Sequence, residues 1–254
     1  MPRSDLRGGN DKKKMQTRQQ EIFNLIVEEY IRTAEPVGSQ VLVRKCKLNF
    51  SPATARNEMA ELEEAGYLFQ PHTSAGRVPT DKGYRFYVDS AVFGNAQQTR
   101  SEKMESRLKK TADAFQGVDS HRFIKEISKM ISEFSRNVGL CGFLEEDEFY
   151  SAGLSNLLRE PEFEGNPGSI NSLEIFDYLD QEMKKVFAKM EKDIEVFIGK
   201  ENKNKKFSDF SLVISKCKTR KDKEGVIGIL GPKRMDYSKN IALVDLIREV
   251  ITNN

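Results

Sequence analysis

The chain has 254 residues, 38% hydrophobic and 31% charged, with a formal net charge of +2; it has length enough for two domains but no basic excess to announce a nucleic-acid partner. No stretch approaches the roughly 20 apolar residues of a bilayer span, and the charged N-terminus lacks the apolar run of a secretory signal. Three scattered cysteines (Cys46, Cys141, Cys217) and two histidines (His72, His121) argue for a reducing cytoplasm and against a disulfide framework or structural zinc.

Residues 1–14, with Lys12, Lys13 and Lys14, predict a disordered basic arm. Residues 15–93 predict a winged helix-turn-helix. Its first helix is "TRQQEIFNLIVEEYIRT", where Ile22, Leu25, Ile26 and Ile31, with Tyr30, fall on one apolar face. Thr17 is the expected N-cap, with Gln20 completing a capping box. Pro36 and Gly38 stop this helix, and Ser39 is placed to cap a short second one, "QVLVRKC".

The third helix follows from "SPATARNEMAELEEAG". Ser51 suits the N-cap, Pro52 the first turn and Gly66 the stop. At about 100° per residue, Ala55, Met59 and Leu62 share the inward face, while Ala53, Asn57 and Ala60 point outward with Arg56 on the flank. Small residues let a backbone approach another surface. Ala and Thr methyls match a thymine methyl, Asn matches adenine and Arg matches guanine. The acids Glu58, Glu61, Glu63 and Glu64 lie mostly in the second half, as suits a helix entering a major groove by its N-terminal end. An ordinary bundle helix would tolerate the same pattern, so this helix does not decide alone.

Its context adds weight. "YLFQ" and "RVP" predict two short strands around the turn "HTSAG", with Gly76 able to take a positive φ. Pro79 suits an edge strand, and Thr80 caps a helix "DKGYRFYVDSAVF" whose Gly83 is unfavourable. His72, Thr73, Ser74 and Arg77 offer donors suited to phosphates. A plain turn residue at His72 and a solvated charge at Arg77 are the alternatives. From Lys12 to Asp89 there are 12 basic and 10 acidic residues, so position must carry the nucleic-acid reading.

Residues 94–137 predict two linking helices, "TRSEKMESRLKKTADAF" and "HRFIKEISKMISEFSR", broken at Gly117 with Asp119 or Ser120 as a cap. The stripe Phe123, Ile127, Met130, Ile131 and Phe134 is expected to pack on the C-terminal sheet, with a dimer contact as the alternative. Residues 138–254 predict an α+β domain: strands "VGLCGFL" and "EFYSAG" around the turn "EED", a helix from Ser172, strands "IEVFIG", "FSLVIS" and "GVIGIL", and a closing helix. The run "GILGPKRMDY" gathers Lys233, Arg234 and Asp236 but lacks the phosphate-loop pattern, so it reads first as a structural turn. Glu160 and Glu162 find no evident partner, and neither a nucleophile elbow nor a zincin motif occurs. No catalytic residue, cofactor or metal ligand is assigned.

The stretches "TRQQEIFNLIVEEYIRTAEPVGSQ", "SPATARNEMAELEEAGYLFQPHTSAGRVPTDKGYRFYVD", "GLSNLLREPEF" and "GILGPKRMDY" closely resemble the HrcA family of heat-inducible transcription repressors. The resemblance implies a GAF-like C-terminal domain. It also implies a repressor binding a CIRCE inverted repeat upstream of chaperone genes as a homodimer, kept active by a GroEL-type chaperonin and released under stress. Carried over by position, the DNA-binding residues are Ser39 and Gln40 on the second helix, and Ser51, Ala53, Thr54, Arg56 and Asn57 on the third. The wing adds His72, Thr73, Ser74 and Arg77. Family members typically carry a further dimerisation segment of some tens of residues, for which this chain leaves no room between "NVGLCGFLEEDEFY" and "SAGLSNLLREPEF". A metabolite sensor with a ligand-binding GAF-like domain is the alternative function, and a protein-binding winged helix is another.

Overall fold

The computed structural model describes residues 17–46, 51–92, 102–114, 120–144, 148–163, 179–218 and 223–253. The expected basic arm, the Gly117 break, the "EED" turn and the Ser172 cap lie outside them.

Helix α1 (Thr17–Thr33) buries Ile22, Phe23, Ile26 and Val27, with Leu25, Tyr30 and Ile31 partly covered. Thr17 is already helical, so it is not the residue preceding the helix. Helix α2 (Ser39–Cys46) likewise starts on Ser39 itself; the Gly38 carbonyl accepts from the Leu42 amide at 3.0 Å, which leaves Gly38 as the cap position. Helix α3 (Pro52–Glu64) follows the expectation. Ser51 Oγ accepts from the Thr54 amide at 3.1 Å, Pro52 opens the helix, and Ala55, Met59 and Leu62 are buried. Gly66, at φ 77°, turns the chain after Ala65.

Strands β1 (Leu68–Phe69) and β2 (Val78–Pro79) pair antiparallel, Leu68 against Pro79. An isolated bridge between Val37 and Arg77 adds the stretch before α2 to this ribbon. Helix α4 (Asp81–Tyr87) is capped by Thr80, whose Oγ1 accepts from the Gly83 amide at 3.0 Å. It continues into a π-turn over Val88–Val92. Gly83, unfavourable by propensity, is required by packing, because a β-carbon there would overlap the Tyr67 carbonyl.

Helices α5 (Glu102–Ala114) and α6 (Ser120–Ser135) lead into the α+β part. Strands β3 (Val138–Phe143) and β4 (Glu148–Ala152) form a hairpin, followed at once by the short α7 (Leu154–Leu158). Then come α8 (Leu179–Phe187), β5 (Ile194–Ile198), β6 (Phe210–Lys218), β7 (Glu224–Pro232) and α9 (Tyr237–Asn253). The sheet is wholly antiparallel in the order β4-β3-β7-β6-β5.

Both faces of this sheet are covered, so its strands read as continuous apolar runs. Leu212, Ile214, Val226 and Leu230 face α7 and α8, whose Leu157, Leu179 and Met183 are buried with them. Val213, Ile227 and Ile229 face α6 and α9. The α6 residues Ile124, Ile127 and Ile131 are fully buried in that layer, so this part of the 94–137 linker packs on the sheet as its apolar stripe predicts. Cys141 and Cys217 are free and buried; burial pushes the Cys217 thiol up to about 12. The second layer and the winged-helix core form one apolar cluster, from Ile22 and Phe23 through Tyr84 and Val88 to Tyr237 and Ile251. Among the described residues no helix is long and apolar enough to cross a membrane.

Candidate nucleic-acid interface

The outward face of α3 is built as its spacing predicts. Ala53, Arg56 and Asn57 are exposed, Thr54 is half-buried, and the Ser51 and Thr54 hydroxyls lie 3.0 Å apart at the helix start. Among the described residues no carboxylate pairs with Arg56. Two of the acids of α3, which would repel a phosphate backbone, are held from behind. Arg18 of α1 pairs with the buried Glu58, and Gln19 donates to Glu61 at 2.6 Å. The near-neutral charge of this region thus coexists with a helix start that presents cationic and amide donors.

The start of α2, the flank of α3 and the wing enclose an open groove of about 590 Å³. Ser39, Gln40, Arg56, Thr73, Ser74 and Arg77 are among its lining residues, so six of the eleven predicted positions converge on one concavity. Ser39 is only 8% exposed, while Gln40 is exposed. The first amides of α2 have no partner within the helix and open near this groove, which suits an anionic backbone. His72, Thr73 and Ser74 are exposed at the wing tip, where the Ala75 amide donates to the His72 carbonyl at 2.8 Å.

Two features of the wing differ from expectation. Gly76 does not take a positive φ; it is needed because a β-carbon there would overlap the Val37 carbonyl where the wing root bridges to the stretch before α2. Arg77 is braced within the protein and not held free at the wing tip. Its side chain is 17% exposed and Nε donates to Glu63 Oε2 at 2.8 Å, while its backbone exchanges two 2.9 Å hydrogen bonds with Val37. The long Arg77 side chain reaches back from the wing to the end of α3, where the Glu63 carboxylate accepts from its guanidinium.

Sequence reasoning missed the residues that hold the wing in shape. Glu63 accepts from both Arg77 and the Gln70 amide, the latter at 3.1 Å. The Gln70 side-chain amide donates to the Thr73 and Ala75 carbonyls at 2.9 and 2.8 Å. Only the spacing of a helix-end acid before a polar strand residue hinted at this, and that signal is too common to single out.

The model of the HrcA protein C-terminal domain matches residues 90–241. The chain is 29% identical to the heat-inducible transcription repressor HrcA of Thermoanaerobacter pseudethanolicus, over 93% of this chain and 96% of that protein. It is likewise 29% identical to HrcA of Desulfitobacterium hafniense, over 94% and 97%. The first of these alignments runs for 331 positions, more than the 254 residues here, so that relative carries residues this chain lacks. A crystal structure of a hypothetical protein at 2.2 Å resolution shares the fold at a TM-score of 0.73 and 21% identity, over 94% of this chain and 99% of that one.

Proposed function

Because the chain belongs to the HrcA family of heat-inducible transcription repressors, we propose that it represses chaperone genes by binding a CIRCE-type inverted repeat as a homodimer. As a family member it is a negative regulator of heat-shock genes with a GAF-like C-terminal domain, not an enzyme. The observation that carries the finer reading is the exposed start of α3, with Ala53, Arg56 and Asn57 outward, beside a groove shared with α2 and the wing. In this reading Arg56 and Asn57 contact base edges, Ala53 and Thr54 allow close approach, and Ser51 meets a phosphate. Ser39, Gln40, His72, Thr73 and Ser74 contact the flanking backbone, and Arg77 acts mainly by bracing the wing.

An inverted repeat has two-fold symmetry, so two copies of this face must be presented by a symmetric pair. The protein works in the cytoplasm, where the operator lies. A GroEL-type chaperonin is the partner that maintains activity, and its loss to unfolded clients under stress relieves repression. The test is a gel-shift titration on an inverted-repeat duplex, with light scattering of the pure protein and of the complex. Two protomers per duplex are expected, with preference over a scrambled duplex at physiological salt. Equal binding to both duplexes would overturn the operator reading, and binding to neither would point to a winged helix that binds protein.

A further inference from the structure

Helix α4 touches both halves of the molecule. On one side it is fixed to the DNA-reading unit: Thr80 Oγ1 donates to the Gly66 carbonyl at 2.7 Å, and Gly83 lies against the Tyr67 carbonyl at the wing root. On the other side Asp81 and Arg85 reach the regulatory domain. Arg85 Nε donates to Glu201 Oε1 at 2.8 Å, and a second arm of its fork bonds the other Glu201 oxygen and the Val196 carbonyl of β5. Asp81 accepts from the Lys200 amide at 3.0 Å and pairs with Lys233 Nζ at 3.1 Å. Gly199, at φ 53°, brings its backbone against the Asp81 carboxylate, where a β-carbon would overlap it.

A second tie runs to α1. Arg234 is held by Glu160 and by Glu162, the latter at 2.6 and 3.1 Å, and donates to the Ile31 carbonyl at 3.2 Å. Ile31 lies in the last turn of α1, where a helix leaves its carbonyls unpaired. Between the ties the Tyr84 and Tyr237 rings lie 5.8 Å apart, and the Tyr237 hydroxyl shares a 2.8 Å hydrogen bond with Ser211 of β6. The motifs "GLSNLLREPEF" and "GILGPKRMDY", unexplained by sequence, therefore meet at one seam.

We infer that this seam is a rigid coupling that sets the orientation of the reading head on the regulatory domain, with α4 as its strut. The inference rests on the proposed operator binding. In a symmetric pair this orientation fixes the distance between the two α3 helices, and hence the half-site spacing that both can engage at once. A partner that displaces the 199–203 turn or the turn after β7 changes operator affinity without touching the DNA face.

The test uses the full chain with Arg85→Met and Lys233→Met combined, on duplexes carrying one half-site, a CIRCE-type inverted repeat, or that repeat with its halves moved apart by about two base pairs. Single half-site affinity is expected to stay within about twofold, while affinity for the natural repeat falls about tenfold and the preference for natural spacing flattens. Hydrogen exchange without DNA is expected to rise in α4 and the last turn of α1, with β6 and β7 still protected. A spacing preference equal to that of the wild type overturns the coupling; a uniform rise in exchange with equal loss on all duplexes shows plain destabilisation and overturns it too. If wild type ignores the inverted repeat, the operator reading fails and exchange alone decides, unchanged exchange in α4 and α1 refuting the seam. Should the double variant not fold, Lys233→Met alone, at a side chain 35% exposed, serves the same comparison.

Discussion

Gly76 shows how one residue can be right for a different reason than its type suggests. A glycine in a hairpin turn invites the expectation of positive φ, yet here it is the absence of a β-carbon that matters, because Val37 passes directly over it. Gly76→Ala should therefore cost about 1–3 kcal/mol through overpacking, read as a lower denaturant midpoint with an unchanged slope. A stability equal to wild type would mean that Val37 can retreat. Arg77 teaches the same lesson in reverse. Its charge pointed to phosphate, and the neighbour that claims it, Glu63, is 14 residues away in sequence. Ala53, Arg56 and Asn57 were legible because a helix's angular spacing fixes which side chains face outward whatever packs behind them.

The elements were legible where local chemistry decides them. The Ser51 and Thr80 caps, the Pro52 start and the buried stripe of α3 follow from short-range spacing, and the structure reproduces them. The start of α2 was not, because Gly38 and Ser39 both suit the cap and only the carbonyl that accepts from Leu42 distinguishes them. The wing is an element held from outside: two paired residues per strand are too few to stand alone. Glu63 and Gln70 supply what the ladder does not. Removing the carboxylate in Glu63→Ala should loosen the wing by about 1 kcal/mol, discounted for partial exposure, so that exchange at the Ala75 and Arg77 amides rises roughly fivefold while that of α3 stays put. Equal exchange in variant and wild type would assign the bracing to the Val37 bridge and the Gln70 side chain.

At the scale of the whole molecule the sequence pattern showed two domains but not how they join. Among the described residues a shared apolar cluster and the polar ties of α4 and of the last turn of α1 cross between them, and each of these contacts links residues more than 100 positions apart, beyond any periodicity. The α+β class was legible because β-branched runs and amphipathic helices alternate; the strand order was not, since β7 sits between β3 and β6. Everything in this arrangement serves one claim, that the start of α3 reads bases while the wing and α2 hold the backbone. Anisotropy competition at fixed salt tests it most directly, comparing an inverted repeat with a scrambled duplex for wild type, Arg56→Ala and Asn57→Ala. Each variant is predicted to lose about 1–3 kcal/mol on the repeat while its affinity for the scrambled duplex changes far less. An Asn57→Ala protein that keeps the wild-type preference would contradict the assignment of α3 to the major groove.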